Sequence, residues 1–258
     1  MARIFLTIVL CLAFSSTGAP QMKAPADVGI DEKLGKQVAL DVVLKDENAK
    51  DLTLGQLVDK PTILMFNYYS CPGICPVLLN SIVTVVNQIQ LEPGKDFRLI
   101  SVSFDPADTP EQARQKKANY LNMLKRQFSP DSWHFLTGSG ENTRAVADSA
   151  GFNYRKQGDM YVHPGAIIVL TPKGIISRYL YGTTFLTADV AMAVREAAGG
   201  KVRPTISKVL AFCYAYDPEG QTYVFSITRF VGAAILVLAV VFVIYVLIGK
   251  TRKKNQAS

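Results

Sequence analysis

Residues 61–69 read Pro-Thr-Ile-Leu-Met-Phe-Asn-Tyr-Tyr, a run without a charge and too short for a buried helix. Such a run suits a strand covered on both faces. It empties into Ser70-Cys71-Pro72-Gly73-Ile74-Cys75-Pro76, and beyond Pro76 the apolar residues Val77, Leu78, Ile82, Val85, Val86 and Ile89 recur at helical spacing until Pro93-Gly94 stops them. A second buried strand is expected over 97–104. Thr109-Pro110-Glu111 then opens a helix, with Thr as cap and Pro at the first helical position, running to about residue 128. Strand, helix, strand, helix implies a parallel pair joined by right-handed crossovers.

The remaining pattern completes an α/β plan. A short strand is expected over 133–136 and a helix over 141–150, stopped by Gly151. Strands over 161–170 and 175–181 flank the turn Thr171-Pro172-Lys173-Gly174, and a last helix over 186–198 ends at Gly199-Gly200. Upstream, 38–44 and 51–57 read as short strands around the polar turn 45–50. A parallel pair followed by an antiparallel hairpin and a closing helix is a thioredoxin-like fold, a central mixed sheet flanked by helices. It is expected over 35–200, after a linker at 20–34.

The formal net charge of +7 sits at the ends of the chain. Arg3 is the one charge in 1–19, and Lys250, Arg252, Lys253 and Lys254 are the charges beyond residue 229, so 20–229 holds 23 basic and 21 acidic groups. That interior carries no electrostatic footprint for a nucleic-acid backbone. Residues 1–19 have the basic start, apolar middle and small-residue exit of a secretory signal peptide, and Cys11 would leave with it. Residues 230–248 are 19 uncharged residues between Arg229 and Lys250. At about 1.5 Å per residue they match the roughly 30 Å of a bilayer's hydrocarbon, so a single C-terminal transmembrane helix is expected, with the basic tail 249–258 in the cytoplasm. These signals describe a bacterial inner membrane protein with its domain in the periplasm.

The chemistry concentrates in Cys71 and Cys75. A strand-to-helix junction presents unpaired backbone N–H groups and the positive end of a helix dipole to the sulfurs, which favours thiolate over thiol. Pro72 reads as the first helical residue, with Cys71 on the cap side, and the four-residue spacing puts both cysteines on one helical face. They can close a disulfide or face one soft ion in a shallow exposed site, and spacing does not choose between the two. Of the two histidines, His163 enters the hairpin at the edge opposite the cysteine turn. Two sulfurs and one nitrogen suit Cu(I), whereas structural zinc would want a fourth ligand. His134, between Trp133 and Phe135, reads as structural, and Asp105 and Asp108 as turn and cap residues.

The ordered set 66–76, Ser101-Val102-Ser103-Phe104-Asp105-Pro106 with Asp108-Thr109-Pro110, Trp133-His134-Phe135-Leu136-Thr137-Gly138, and the His163 strand with Thr171-Pro172-Lys173-Gly174 resembles the SCO/SenC family. These are membrane-tethered thioredoxin-like proteins that deliver copper to cytochrome c oxidase. The resemblance implies Cys71, Cys75 and His163 as copper ligands, holding Cu(I), with Cu(II) as a further state. It implies the copper-receiving oxidase subunit as partner, besides a periplasmic thiol reductant or another copper carrier and the membrane lipid. Family members commonly have Asp at the places of Gly73 and Val162, and their anchor is N-terminal. An alternative reading has Cys71 attack and Cys75 resolve a disulfide in the recipient subunit. Residues 201–229 form a juxtamembrane extension in which Asp217-Pro218-Glu219-Gly220 suggests a small hairpin, and Cys213 is the odd thiol of the mature chain.

Overall fold

The computed structural model describes residues 27–203, together with 214–217, 222–225 and 238. In chain order the elements of the first unit are β1 (Gly29–Ile30), β2 (Val43–Lys45), β3 (Asp51–Thr53), α1 (Leu54–Leu57), β4 (Thr62–Asn67), α2 (Ile74–Gln88), β5 (Arg98–Ser103) and α3 (Pro110–Leu121). Then come β6 (Trp133–Leu136), α4 (Gly140–Ser149), β7 (Phe152–Asn153), β8 (Arg155–Gln157), β9 (Met160–Val162), β10 (Ala166–Leu170), β11 (Ile176–Tyr181) and α5 (Thr187–Ala198). The central sheet has the order β11-β10-β4-β5-β6. Strands β4, β5 and β6 are parallel, and β10 runs antiparallel to both β4 and β11. This is the thioredoxin-like α/β plan expected from the sequence.

All six residues of β4 are buried, and their alternation divides the core. Leu64, Phe66 and Tyr68 join one apolar cluster, which also holds Cys71, Cys75, Phe104 and Phe152. Ile63 and Met65 join the other, with Leu78, Ile82 and Val86 of α2 and Val190, Ala193, Val194 and Ala197 of α5. The cysteines therefore stand at the C-terminal end of the central strand, where the core reaches the surface of the sheet.

Several boundaries differ from the sequence reading for identifiable reasons. The stretch 161–170 is not one strand. Pro164 lacks a backbone donor and interrupts it, so β9 pairs instead with β8 in a separate hairpin while β10 joins the sheet. The helix opened by Thr109 has the expected Thr cap, which the structure completes as a capping box with Gln112, but it stops at Leu121 rather than near 128. Beyond it the chain is bound to the end of α2, where Asn87 Oδ1 accepts from Lys125 N and Arg126 donates to the carbonyls of Val86 and Ile89. The stretch 51–57 is extended only to Thr53, because Leu54–Leu57 winds into the short helix α1.

The body of the fold begins before residue 35. Strand β1 pairs with β7, Asp31 N donates to Gly151 O, and Lys33 N donates to the Tyr179 hydroxyl. Gly151 has φ +66°, and a Cβ there would lie 1.8 Å from the Asp31 carbonyl oxygen, so this crossing needs glycine.

A second unit spans Arg203–Ser258. Within it β12 (Tyr214–Asp217) pairs antiparallel with β13 (Thr222–Phe225), the hairpin expected around Asp217-Pro218-Glu219-Gly220. Among the described residues no helix is long and apolar enough to cross a membrane. The signal peptide at 1–19, the span at 230–248 apart from Leu238, the tail at 249–258 and Cys213 lie outside the described residues.

Candidate metal centre

Strand β4 hands the chain to a turn in which Cys71 N donates to Tyr68 O, and only then does α2 begin. Its N-cap is Gly73 and its first residue Ile74, so Pro72 lies outside the helix rather than at its first position. Cys71 is in the preceding turn and Cys75 in the first helical turn, which replaces the picture of two cysteines on one helical face. Pro76 sits in that same first turn, where a missing N–H removes no intrahelical bond, so it does not disturb the helix. A Cβ at Gly73 would meet nothing within 4 Å.

A buried carboxylate pins this turn to the neighbouring strand. Asp108 Oδ2 accepts from Tyr69 N at 2.6 Å and from Ser103 Oγ at 2.5 Å. Asp108 is buried, and burial pushes its pKa up against the opposing pull of those two hydrogen bonds. Turn duty for Asp105 and Asp108 is thus correct in kind, but Asp108 reaches further than its own turn and positions the segment that leads into Cys71.

The β8–β9 hairpin brings the imidazole. Tyr161 donates its hydroxyl to Asp105 Oδ1 at 3.2 Å, tying the hairpin to the turn after β5. Two residues on, His163 lies edge-on to Phe104 and Tyr68, with centroids 5.2 and 6.1 Å away. Its Nδ1 is 3.0 Å from the Pro164 carbonyl oxygen. A carbonyl can only accept, so this bond places the ring proton on Nδ1 and leaves the Nε2 lone pair open. Nε2 is 3.4 Å from Cys75 Sγ. Gly165 permits the approach: a Cβ there would come within 3.2 Å of Ile74 Cδ1 and 3.1 Å of the Gly182 carbonyl oxygen.

One donor atom from each of Cys71, Cys75 and His163 lies within 4.8 Å of the other two. An ion bound at about 2.0–2.3 Å would hold three donors in a plane roughly 3.5–4 Å apart, so the set closes on one ion with small movements. The three are the one such group among the described residues. The site is not shallow and exposed: Cys71 is 6% and Cys75 3% exposed, while His163 is half-buried. The sulfurs share a proton unequally. The hydrogen bond from Cys75 pulls the Cys71 thiol well below its ordinary range, with the backbone N–H groups of Cys75 and Gly73 adding to it. The same bond and burial push Cys75 up. This hydrogen bond favours the thiolate at Cys71 and the thiol at Cys75.

The remaining candidates fall elsewhere. His134 lies on β6, two strands from β4, and burial pushes its pKa down, as suits a neutral structural histidine. Beside it Lys117 and Glu47 form a buried ion pair, and Glu47 also accepts from Phe135 N. Tyr68 was not singled out by sequence. It is buried beside Cys71, and its phenol is pushed up to about 12 by burial and by its hydrogen bond with that sulfur. Its place one residue past β4 and three before Cys71 was the available signal.

Residues 31–199 match the family model SCO1/SenC.

The chain belongs to the SCO1/SenC family.

By sequence it is similar to a "Putative copper-binding protein" of Stutzerimonas stutzeri, 27% identical over 143 residues that make up 53% of this chain and 66% of that protein. By structure it is similar to a "putative electron transfer protein" from Aquifex aeolicus VF5, at 29% identity and TM-score 0.59, covering 64% of this chain and 95% of that one. It is also similar to ScoI of Arabidopsis thaliana with copper bound, at 26% identity and TM-score 0.52, covering 63% and 99%. The chain spans less than two thirds of the length of the curated relatives it matches. The SCO1/SenC match takes in every residue of the Cys71, Cys75 and His163 group.

Proposed function

We propose that this SCO1/SenC protein is a membrane-anchored copper carrier that delivers copper to the copper-receiving subunit of cytochrome c oxidase. The observation that carries the reading is the convergence of two cysteine sulfurs and an imidazole lone pair within 4.8 Å of one another. Two soft sulfurs and one nitrogen without a carboxylate fit Cu(I). The copper-bound relative and the copper-binding relative support the cargo, and the family resemblance supports the recipient. The single-pass anchor at 230–248, with the domain in the periplasm and the tail in the cytoplasm, belongs to the same proposal.

The geometry suggests an order for handover. His163 is the half-buried donor and the sulfurs are buried, so an incoming thiolate or thioether replaces the imidazole first and the sulfurs afterwards. Copper then passes by stepwise ligand replacement and is never free in solution. Titration of the reduced full-length protein with Cu(I) tests the reading. One Cu(I) per chain is expected, with binding abolished in Cys71→Ala and Cys75→Ala and weakened at least tenfold in His163→Ala. Unchanged binding in any of the three would refute it.

A second reading has its own support, a sulfur pair whose hydrogen bond lowers the pKa of Cys71 and raises that of Cys75. Such a pair can reduce a disulfide in the recipient, with Cys71 attacking and Cys75 resolving. It predicts disulfide exchange that needs both cysteines and tolerates His163→Ala.

A further inference from the structure

Three segments meet beside His163, and none of them carries a charged residue. There is no Asp, Glu, Lys or Arg between Lys60 and Glu92, between Asp159 and Lys173, or between Arg178 and Asp189. The first stretch holds the cysteine turn and α2, the second holds His163, and the third holds the loop from β11 to α5. Gly165 marks where they touch, since a Cβ there would come within 3.0 Å of Thr183 Cγ2 and 3.2 Å of Ile74 Cδ1. A further tie seats the third segment on α2: Ser81 Oγ accepts from Phe185 N at 2.9 Å. Ile74, Val77 and Ser81 follow one another at three and four residues and so share one face of α2. On this collar Val77 is 50% exposed and Leu186, next to Phe185, is 47% exposed. Two carboxylates that reach these segments are engaged by phenols, Asp105 by the Tyr161 hydroxyl and Glu32 by the Tyr181 hydroxyl.

We propose that this uncharged collar is the docking surface for an uncharged segment of a partner protein, one with apolar residues flanking a thiolate or thioether donor. This rests on the copper-carrier reading, because the donor is what takes the ion from beside His163. A charged side chain set down on the collar would give up its water without meeting an opposite charge, whereas apolar flanks gain by covering Val77 and Leu186. Selection is therefore by exclusion: a charged segment is turned away by the cost of desolvation rather than by like charge. Long-range steering is absent on such a face, so binding there responds little to salt. A bilayer supplies no soft donor, and a second copy of this chain brings sulfurs that are themselves buried, so neither could complete a transfer. A flexible partner segment could, and the ion would change ligands without changing oxidation state.

The test uses the reduced, copper-free full-length protein in phosphatidylcholine nanodiscs and three peptides of equal length with one Met-Gly-Ser-Met core, flanked by leucine and serine, by aspartate or by lysine. Binding is read by fluorine NMR of a tag common to the three, with empty discs as the blank. The native protein is expected to bind the uncharged peptide about tenfold more tightly than either charged one, at low and high salt alike. Val77→Lys and Leu186→Lys should each move the preference to the aspartate peptide and make it salt-dependent. Met123→Lys is the control and should leave the ranking unchanged. Met123 is 46% exposed, but its carbonyl accepts from Asn87 near the far end of α2, about 15 Å along the helix from Val77. Urea midpoints near native report an intact fold in each variant. Equal binding of the three peptides, or a ranking that neither collar lysine disturbs, would overturn the proposal. So would a native dimer that Val77→Lys splits, which gives the collar to a second copy, or broadening of the Val77 and Leu186 methyl signals by a spin-labelled lipid, which gives it to the bilayer. Cu(I) titration of the same samples separates the two readings: one Cu(I) bound without the peptide ranking removes the collar and leaves the copper reading, and the ranking without Cu(I) binding does the reverse.

Discussion

Replacing Asp108 with Ala tests how the cysteine turn is held. The native carboxylate oxygen takes two hydrogen bonds, from Tyr69 N at 2.6 Å and Ser103 Oγ at 2.5 Å, at a buried position. Ala removes both acceptor positions and leaves the buried Tyr69 N–H without its partner, which costs about 1–3 kcal/mol for an unsatisfied buried donor. The variant should therefore lose about 2 kcal/mol at neutral pH. Urea unfolding of the reduced protein, followed by the single and fully buried Trp133, measures it.

The pH dependence has a definite sign. Burial raises the folded-state pKa of Asp108 above 3.8, so over that window the folded chain holds more protons than the unfolded one. Stability from this group is complete below 3.8 and declines as pH rises through the folded value. Ala does not titrate, so the gap between native and Asp108→Ala should widen on going from pH 7 to pH 4. A gap that narrows on acidification would mean that the fold favours the anion over the acid, and a loss below about 0.5 kcal/mol at neutral pH would mean that the two bonds do not hold the turn.

Lys117→Met should cost about 3–5 kcal/mol in the same unfolding assay, because it strands the buried Glu47 carboxylate, and adding Glu47→Gln should recover most of the loss. Gly73→Asp places a carboxylate at the N-cap of α2 in open space, so it should raise stability by a few tenths of a kcal/mol in thermal unfolding and slow Cu(I) release to a competing chelator.

Much of the fold was legible because it is written in local pattern. The uncharged run over β4, the helical spacing of α2 and the Thr109-Pro110 cap each state their own burial or hydrogen bonding within a few residues. The β8–β9 hairpin was not legible: β8 is exposed at all three residues, so no apolar alternation announces it. The end of α3 was missed for a related reason. Its apolar pattern continues to Phe128, but side chains of Asn87 and Arg126 form hydrogen bonds that draw the segment onto α2.

By itself the sequence determined which chemistry was available: two thiols at a strand-to-helix junction, one candidate imidazole far along the chain and no carboxylate inside the set. Only the tertiary structure decided that the imidazole arrives, since Cys75 and His163 meet across 88 positions through the Tyr161–Asp105 tie, the Pro164 carbonyl and the missing side chain of Gly165. It also decided that the sulfurs are buried. Local pattern records what each segment must hide from water, whereas the direction of a ring's lone pair depends on groups the neighbouring segments supply once they are packed.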